Sequence, residues 1–168
     1  IFENNRSIEN FYKVGTLGYA KINTENEYKP YAYVITIDKN AFDSALIDLT
    51  DGELPKNNNE IIIPRHLRNN GKVDLKVGDT ITLEVGSRMS EGYALGQNNP
   101  YEETNNETIE NTVSVTYKVV GIFERPSTAL EPFSSPGYTF ITTNASGVKN
   151  YKVFARYTKD GLKNQYKV

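Results

Sequence analysis

The sequence contains no cysteine. Disulfide staples, thiolate metal sites and a cysteine nucleophile are excluded together, and no redox compartment is implied. It contains a single histidine, His66, which excludes multi-histidine metal centres and leaves any Ser-His pair resting on one residue. No serine occupies a Gly-x-Ser-x-Gly turn, and no glycine-rich segment has the spacing of a phosphate loop or dinucleotide fingerprint. Positive charge is not in excess: 19 Lys and Arg stand against 21 Asp and Glu, a net charge of −2. There is thus no basic footprint for phosphate backbones or anionic lipid, and nucleic acid is not an expected partner. No apolar run approaches the ~20 residues needed to span a bilayer. The chain opens on Ile1, without Met or a signal-like segment, and is expected to be part of a longer protein.

What is present is a folded chain of 168 residues with 38% hydrophobic content, enough for one good core or two small linked lobes. The abundance of Asn, Lys, Tyr and Ile suggests an AT-rich bacterial genome. The local signals are mostly β. "YAYVITI" (Tyr31–Ile37) is β-branched and aromatic between Pro30 and Asp38, a strand signature. Asn40 then offers an N-cap for a short helical face of Ala41, Phe42, Ala45 and Leu46. Ile61–Ile63, stopped by Pro64, reads as a buried strand, and "PRHLRN" (Pro64–Asn69) as a helical turn with Pro64 at its first position. "TITLEV" (Thr80–Val85) alternates with one wet face, and "VSVTYKVVGIF" (Val113–Phe123) alternates until Gly121, which suggests a bulge or close backbone approach. "YTFITT" (Tyr138–Thr143) and "YKVFARY" (Tyr151–Tyr157) add two strands. Strands and short helices that do not alternate regularly predict an α+β fold with mainly antiparallel pairing.

The stretch "GELPKNNNEIIIP" (Gly52–Pro64) turns sharply at Gly52 and Pro55, stays solvated through the asparagines, and then enters a core. "DGELPKNNNEIIIPRHL" (Asp51–Leu67), "LKVGDTITLEVG" (Leu75–Gly86) and "TYKVVGIFERPS" (Thr116–Ser127) together resemble the extracytoplasmic domain of FtsX-like ABC transporter permeases, also called the MacB-like periplasmic core domain. The resemblance covers about Gly15 to Thr142. It implies a domain between the first and second transmembrane helices of a permease, with a small α/β lobe near the membrane (1–49 and 138–168) and an inserted β-rich lobe (50–137). It further implies a separate cytoplasmic ATPase subunit, no catalytic residue, metal or cofactor in the domain itself, and coupling of motion to an extracellular peptide, lipid-linked molecule or protein. The isolated domain is expected to be a monomer. A free-standing cell-surface binding module with a β-rich fold is the alternative reading.

Within the motif, Gly52, Leu54, Pro55, Gly78, Asp79 and Gly121 are read as structural, and Glu60 as a carboxylate that accepts backbone hydrogen bonds across the turn. His66 is read as a solvated surface residue. Some pair among 21 carboxylates will stand at catalytic distance in any fold, so their number carries no information. Glu102, Glu103, Glu107 and Glu110 cluster without an EF-hand arrangement. They lie in the long stretch 86–112, whose Tyr93, Leu95 and Tyr101, with Glu102 and Glu103, are candidate partner-binding residues. The other reading of that stretch is a twisted hairpin extension whose tyrosines cover its own strands. Replacing Ser90–Asn111 by a short turn is expected to leave the fold intact. "ERPSTALEPFSSPG" (Glu124–Gly137), whose Leu130 and Phe133 stand among three prolines, is a second candidate surface; the preferred reading is a return crossing from the inserted lobe with Phe133 packed in the seam between the lobes.

Overall fold

The computed structural model describes residues 6–165; residues 1–5 and 166–168 of the expected membrane-near lobe lie outside them. The chain forms β1 (Ile8–Lys21), β2 (Tyr31–Ile37), β3 (Leu49–Gly52), β4 (Glu60–Pro64), α1 (His66–Gly71), β5 (Thr80–Ser90), β6 (Tyr93–Ala94), β7 (Thr108–Phe123), β8 (Gly137–Thr142), β9 (Asn150–Tyr157) and α2 (Lys159–Gln165). Pairing is mainly antiparallel, with β2–β8 and β4–β7 parallel, and the class is α+β as the sequence predicts.

Six strands close on themselves in the order β7–β4–β8–β2–β1–β5–β7. Every one of the six sends side chains into one cluster, among them Leu17, Val34, Phe140, Ile61, Val119 and Leu83, with Leu67 of α1 packed against them. A cluster fed by all strands of a closed ring is its interior. A second cluster gathers alternate residues of five of these strands, β5 excepted, including Tyr33, Ile35, Ile37, Ile141, Ile62 and Phe123, under Phe42, Ala45 and Leu130. β2 is therefore buried on both faces, which explains a strand with no polar alternation. Each such fully buried side chain contributes about 2 kcal/mol.

The ring closes through glycine. β1 meets β5 at Tyr19 opposite Gly86, next to a bulge at Gly18. A Cβ on Gly18 (φ 147°) would lie 2.2 Å from the Gly86 carbonyl oxygen, so no larger residue permits this approach. Below the seam the same edge of β1 pairs with β9, from Ile8 opposite Tyr157 to Thr16 opposite Asn150.

Several local expectations are corrected. Asp38, not Asn40, caps the segment after β2: its carboxylate accepts the Asn40 N–H, and a single 3-10 turn (Lys39–Ala41) forms in place of a helix. Pro64 ends β4, and α1 starts at His66. β5 and β7 run past their expected ends, pairing through Met89 opposite Thr108, which leaves a much shorter connection than 86–112.

Candidate functional site

The opening turn is held by its carboxylate. Glu60 Oε2 accepts the N–H of Lys56 (2.6 Å) and of Asn57 (3.1 Å), while Oε1 accepts from Asn57 Nδ2 at 2.8 Å. The Lys56 backbone bond leads the interactions that hold this carboxyl below its usual range. Pro55 is buried and Leu54 packs on the outer core. Asp79 performs the same task one turn later, accepting the Lys76 N–H at 2.9 Å. Gly52 and Gly78 hold φ of 74° and 98°. Gly121 sits at a register shift where a Cβ would lie 2.5 Å from the Glu53 carbonyl oxygen.

The long excursion is a strap with one protruding tip. Arg88, 1% exposed, donates from Nε to Glu107 (2.7 Å), from Nη1 to the carbonyls of Gly96 (3.0 Å) and Asn99 (2.7 Å), and from Nη2 to that of Pro100 (3.0 Å). Glu107 also accepts from the Tyr31 hydroxyl, and the guanidinium lies over the Tyr31 ring at 5.6 Å. Gln97 exchanges hydrogen bonds with both backbone groups of Gly137. Tyr101 turns inward and meets Tyr31 edge-on, with centroids 5.9 Å apart. Leu95 is half-buried, whereas Tyr93, Glu102 and Glu103 are exposed. The structure thus separates the candidate residues: Tyr101 joins the core, Tyr93 stands at the hairpin tip, and the two glutamates face solvent. Among the described residues no group of His, Asp and Glu could hold a metal ion.

A second polar centre lies on the return crossing 124–136. Glu131 is fully buried. Its Oε1 is 2.7 Å from His66 Nε2, 3.1 Å from Lys29 Nζ and 3.7 Å from Arg125 Nε, and its Oε2 accepts the Thr139 N–H at 2.8 Å. Burial alone would raise this carboxyl, but the His66 hydrogen bond, the Lys29 and His66 charges and the Thr139 N–H outweigh it and hold it at about 2. His66 is therefore a partly buried partner of an ionised carboxylate and not a solvated surface residue. Its ring also lies against Tyr138, with centroids 5.2 Å apart. Phe133 is corrected in the opposite sense. It is 81% exposed, with the Arg125 guanidinium 4.8 Å from its ring centroid, while its neighbour Leu130 takes the core position. A recess of about 240 Å³ opens between Tyr28, Lys29, His66, Arg125, Phe133 and Ser134. The sequence offered no sign of this centre, because Lys29, His66 and Glu131 are far apart in the chain and each looks ordinary alone.

No family model and no curated protein matches the chain. Among solved structures it is similar to a domain assigned to a permease of Porphyromonas gingivalis (14% identity, TM-score 0.49, 98% of this chain and 72% of that one). It is similar also to the periplasmic region of MacB from Actinobacillus actinomycetemcomitans (8%, 0.48, 97% and 65%). The extracellular domain of the noncanonic ABC-type transporter YknZ from Gram-positive bacteria matches it at 11% identity and a TM-score of 0.50, over 97% of this chain and 73% of that one. At such identities the likeness is one of fold alone.

Proposed function

We propose that this chain is the extracytoplasmic domain of an ABC transporter permease, coupling the motion driven by a cytoplasmic ATPase subunit to an extracellular substrate or partner. The observation that carries the reading is the β1–β9 ladder. It brings Ile8 beside Tyr157, and the Thr158 N–H donates to the Ser7 carbonyl at 2.9 Å. A domain set between two membrane helices needs its two ends close together; the ladder brings them together at Ile8 and Tyr157, with α2 following on the second. β1 then runs as one strand, with irregularities beside Ile8 and Gly18, from the shared end to the seam at Tyr19, where it joins β5 and the ring. A displacement of the two connections would pass along β1 into the closed ring as a shear of paired strands. No helix among the described residues is long and apolar enough to cross a membrane, so the spans would belong to flanking sequence. The fold similarity over nearly the whole chain and the order of the three motif segments support the same reading.

The chain contains no cysteine of its own, so one can be introduced at a chosen surface position and read against the unsubstituted full-length protein. A Tyr93→Cys variant of the natural full-length protein, in intact cells, is expected to react with a membrane-impermeant maleimide, because Tyr93 is 74% exposed at the hairpin tip. The solubilised protein is expected to co-purify with an ATP-hydrolysing subunit. Labelling only after lysis would refute an extracytoplasmic position. Surface labelling without an associated ATPase would establish a free-standing surface module in its place.

A further inference from the structure

We propose that the recess between Tyr28, Arg125 and Phe133 is a binding site for a monocarboxylate carried on an apolar or aromatic body, such as the C-terminal residue of a peptide or a free N-acyl amino acid. The proposal concerns this chain alone and stands whether or not the transporter reading does.

Charge points to an anion. Lys29 Nζ is fully engaged: its three protons meet the Ser135 carbonyl and hydroxyl, each at 2.8 Å, and Glu131 at 3.1 Å. Lys29 therefore neutralises Glu131, and Arg125 remains as one cation in excess. None of the residues lining the recess carries a carboxylate. Of the five N–H donors of a guanidinium, Arg125 uses only those on Nη2 among the described residues, in long bonds of 3.5 and 3.3 Å to the carbonyls of Glu131 and Pro132. Its Nε is buried without a hydrogen bond and faces Glu131 Oε1 at 3.7 Å, so the donors left for a ligand are those of the Nη atoms. A buried or half-buried guanidinium with unmet donors and a fixed planar face is suited to bidentate capture of a carboxylate. One excess charge matches a monoanion better than a phosphate dianion, which Glu131 would also repel.

The aromatic groups define the rest of the ligand. Phe133 is 81% exposed and Tyr28 71% exposed, yet both line the same recess. Phe133 stands between Pro132 and Pro136 in a crossing whose Leu130 and Glu131 are buried, so its ring is presented on a stiff support at little further loss of entropy. An aromatic ring stacked under the arginine offers a flat apolar wall beside the cation. The volume of about 240 Å³ admits one residue-sized group and not a drug-sized molecule.

The test is a titration of the ¹⁵N-labelled chain, followed by NMR, with N-acetyl-phenylalanine and separately with its carboxamide. Saturable shifts confined to the amides of residues 28–29 and 133–135 are expected with the acid and not with the amide. A tetrapeptide Gly-Gly-Gly-Phe with a free C-terminus, compared with its amidated form, distinguishes the two sources. Binding of the free-acid peptide assigns the site to chain termini, and binding of N-acetyl-phenylalanine alone assigns it to small acids. Arg125→Gln is expected to weaken binding about tenfold or more. Phe133→Ala, at a position too exposed to affect folding, is expected to weaken it several-fold. Equal shifts with acid and amide, no saturable shift with either, or unchanged affinity in Phe133→Ala would overturn the proposal.

Discussion

Gly52 and Gly78 both hold positive φ, but their surroundings differ. A Cβ on Gly52 would lie 2.2 Å from the Val120 carbonyl oxygen, inside the β3–β7 pairing, whereas nothing stands within 4 Å of the same atom on Gly78. Substitution at Gly78 therefore meets conformational strain alone, and Gly78→Ala is expected to lose about 1 kcal/mol. Gly52→Ala must also push β7 away, and is expected to lose about 3 kcal/mol or more. Urea denaturation ranks the two variants. Equal midpoints would show that the approach of β3 to β7 is not what requires glycine at position 52.

At the scale of elements, the strap across 86–112 shows why deleting a loop is not the same as shortening it. Removing Ser90–Asn111 takes away Glu107 and the carbonyls of Gly96, Asn99 and Pro100, leaving Arg88 with only the rings of Tyr19 and Tyr31 beside it and none of these hydrogen-bond acceptors. The fold is then not expected to survive unharmed, contrary to what the sequence suggests. Arg88→Ala reports the same interaction and is expected to lose about 3–5 kcal/mol, while Tyr93→Ala at the exposed tip is expected to stay within about 0.5 kcal/mol of the parent. Matching unfolding curves for the two variants would show that the strap is not anchored by Arg88. The strands that were legible in the sequence are those whose own residues declare them: Tyr31–Ile37 and Ile61–Ile63 are continuous β-branched or aromatic runs. β1 was not legible because Gly15 and Gly18 break its alternation, and Gly18 is required by the distant Gly86. The extensions of β5 and β7 were hidden because "SRMS" has no β-branched or aromatic residue, "TIEN" has only two before a Glu-Asn pair, and the two segments are held by each other. Of the polar centres, Glu60 was legible because its donors lie within four residues, and Glu131 was not because its partners come from four separate segments.

For the whole molecule, Glu131 joins the entrance to β2 (Lys29), α1 (His66), the end of β7 (Arg125) and β8 (Thr139) at one carboxylate. It holds the return crossing onto the ring, and its ionisation should be felt as global stability. The carboxyl is held at about 2 in the folded chain against an ordinary 4.5. A folded value below the unfolded one means that the unfolded chain takes up the proton first as pH falls. The contribution is therefore complete above about pH 4.5 and is lost progressively between about 4.5 and about 2, an effect of about 3 kcal/mol. Glu60, whose carboxyl is also held below its usual range by the Lys56 N–H, contributes a slope of the same sign. Glu131→Gln removes the counterion of a buried Lys29 and is expected to lose about 3–5 kcal/mol at pH 7. Its unfolding free energy should also lose most of the acid-side slope, so that parent and variant converge near pH 2. Urea unfolding at half-unit steps from pH 7 to pH 2 measures both quantities. A variant that keeps the parental slope would place the acid sensitivity elsewhere and leave Glu131 as a packing residue of the crossing.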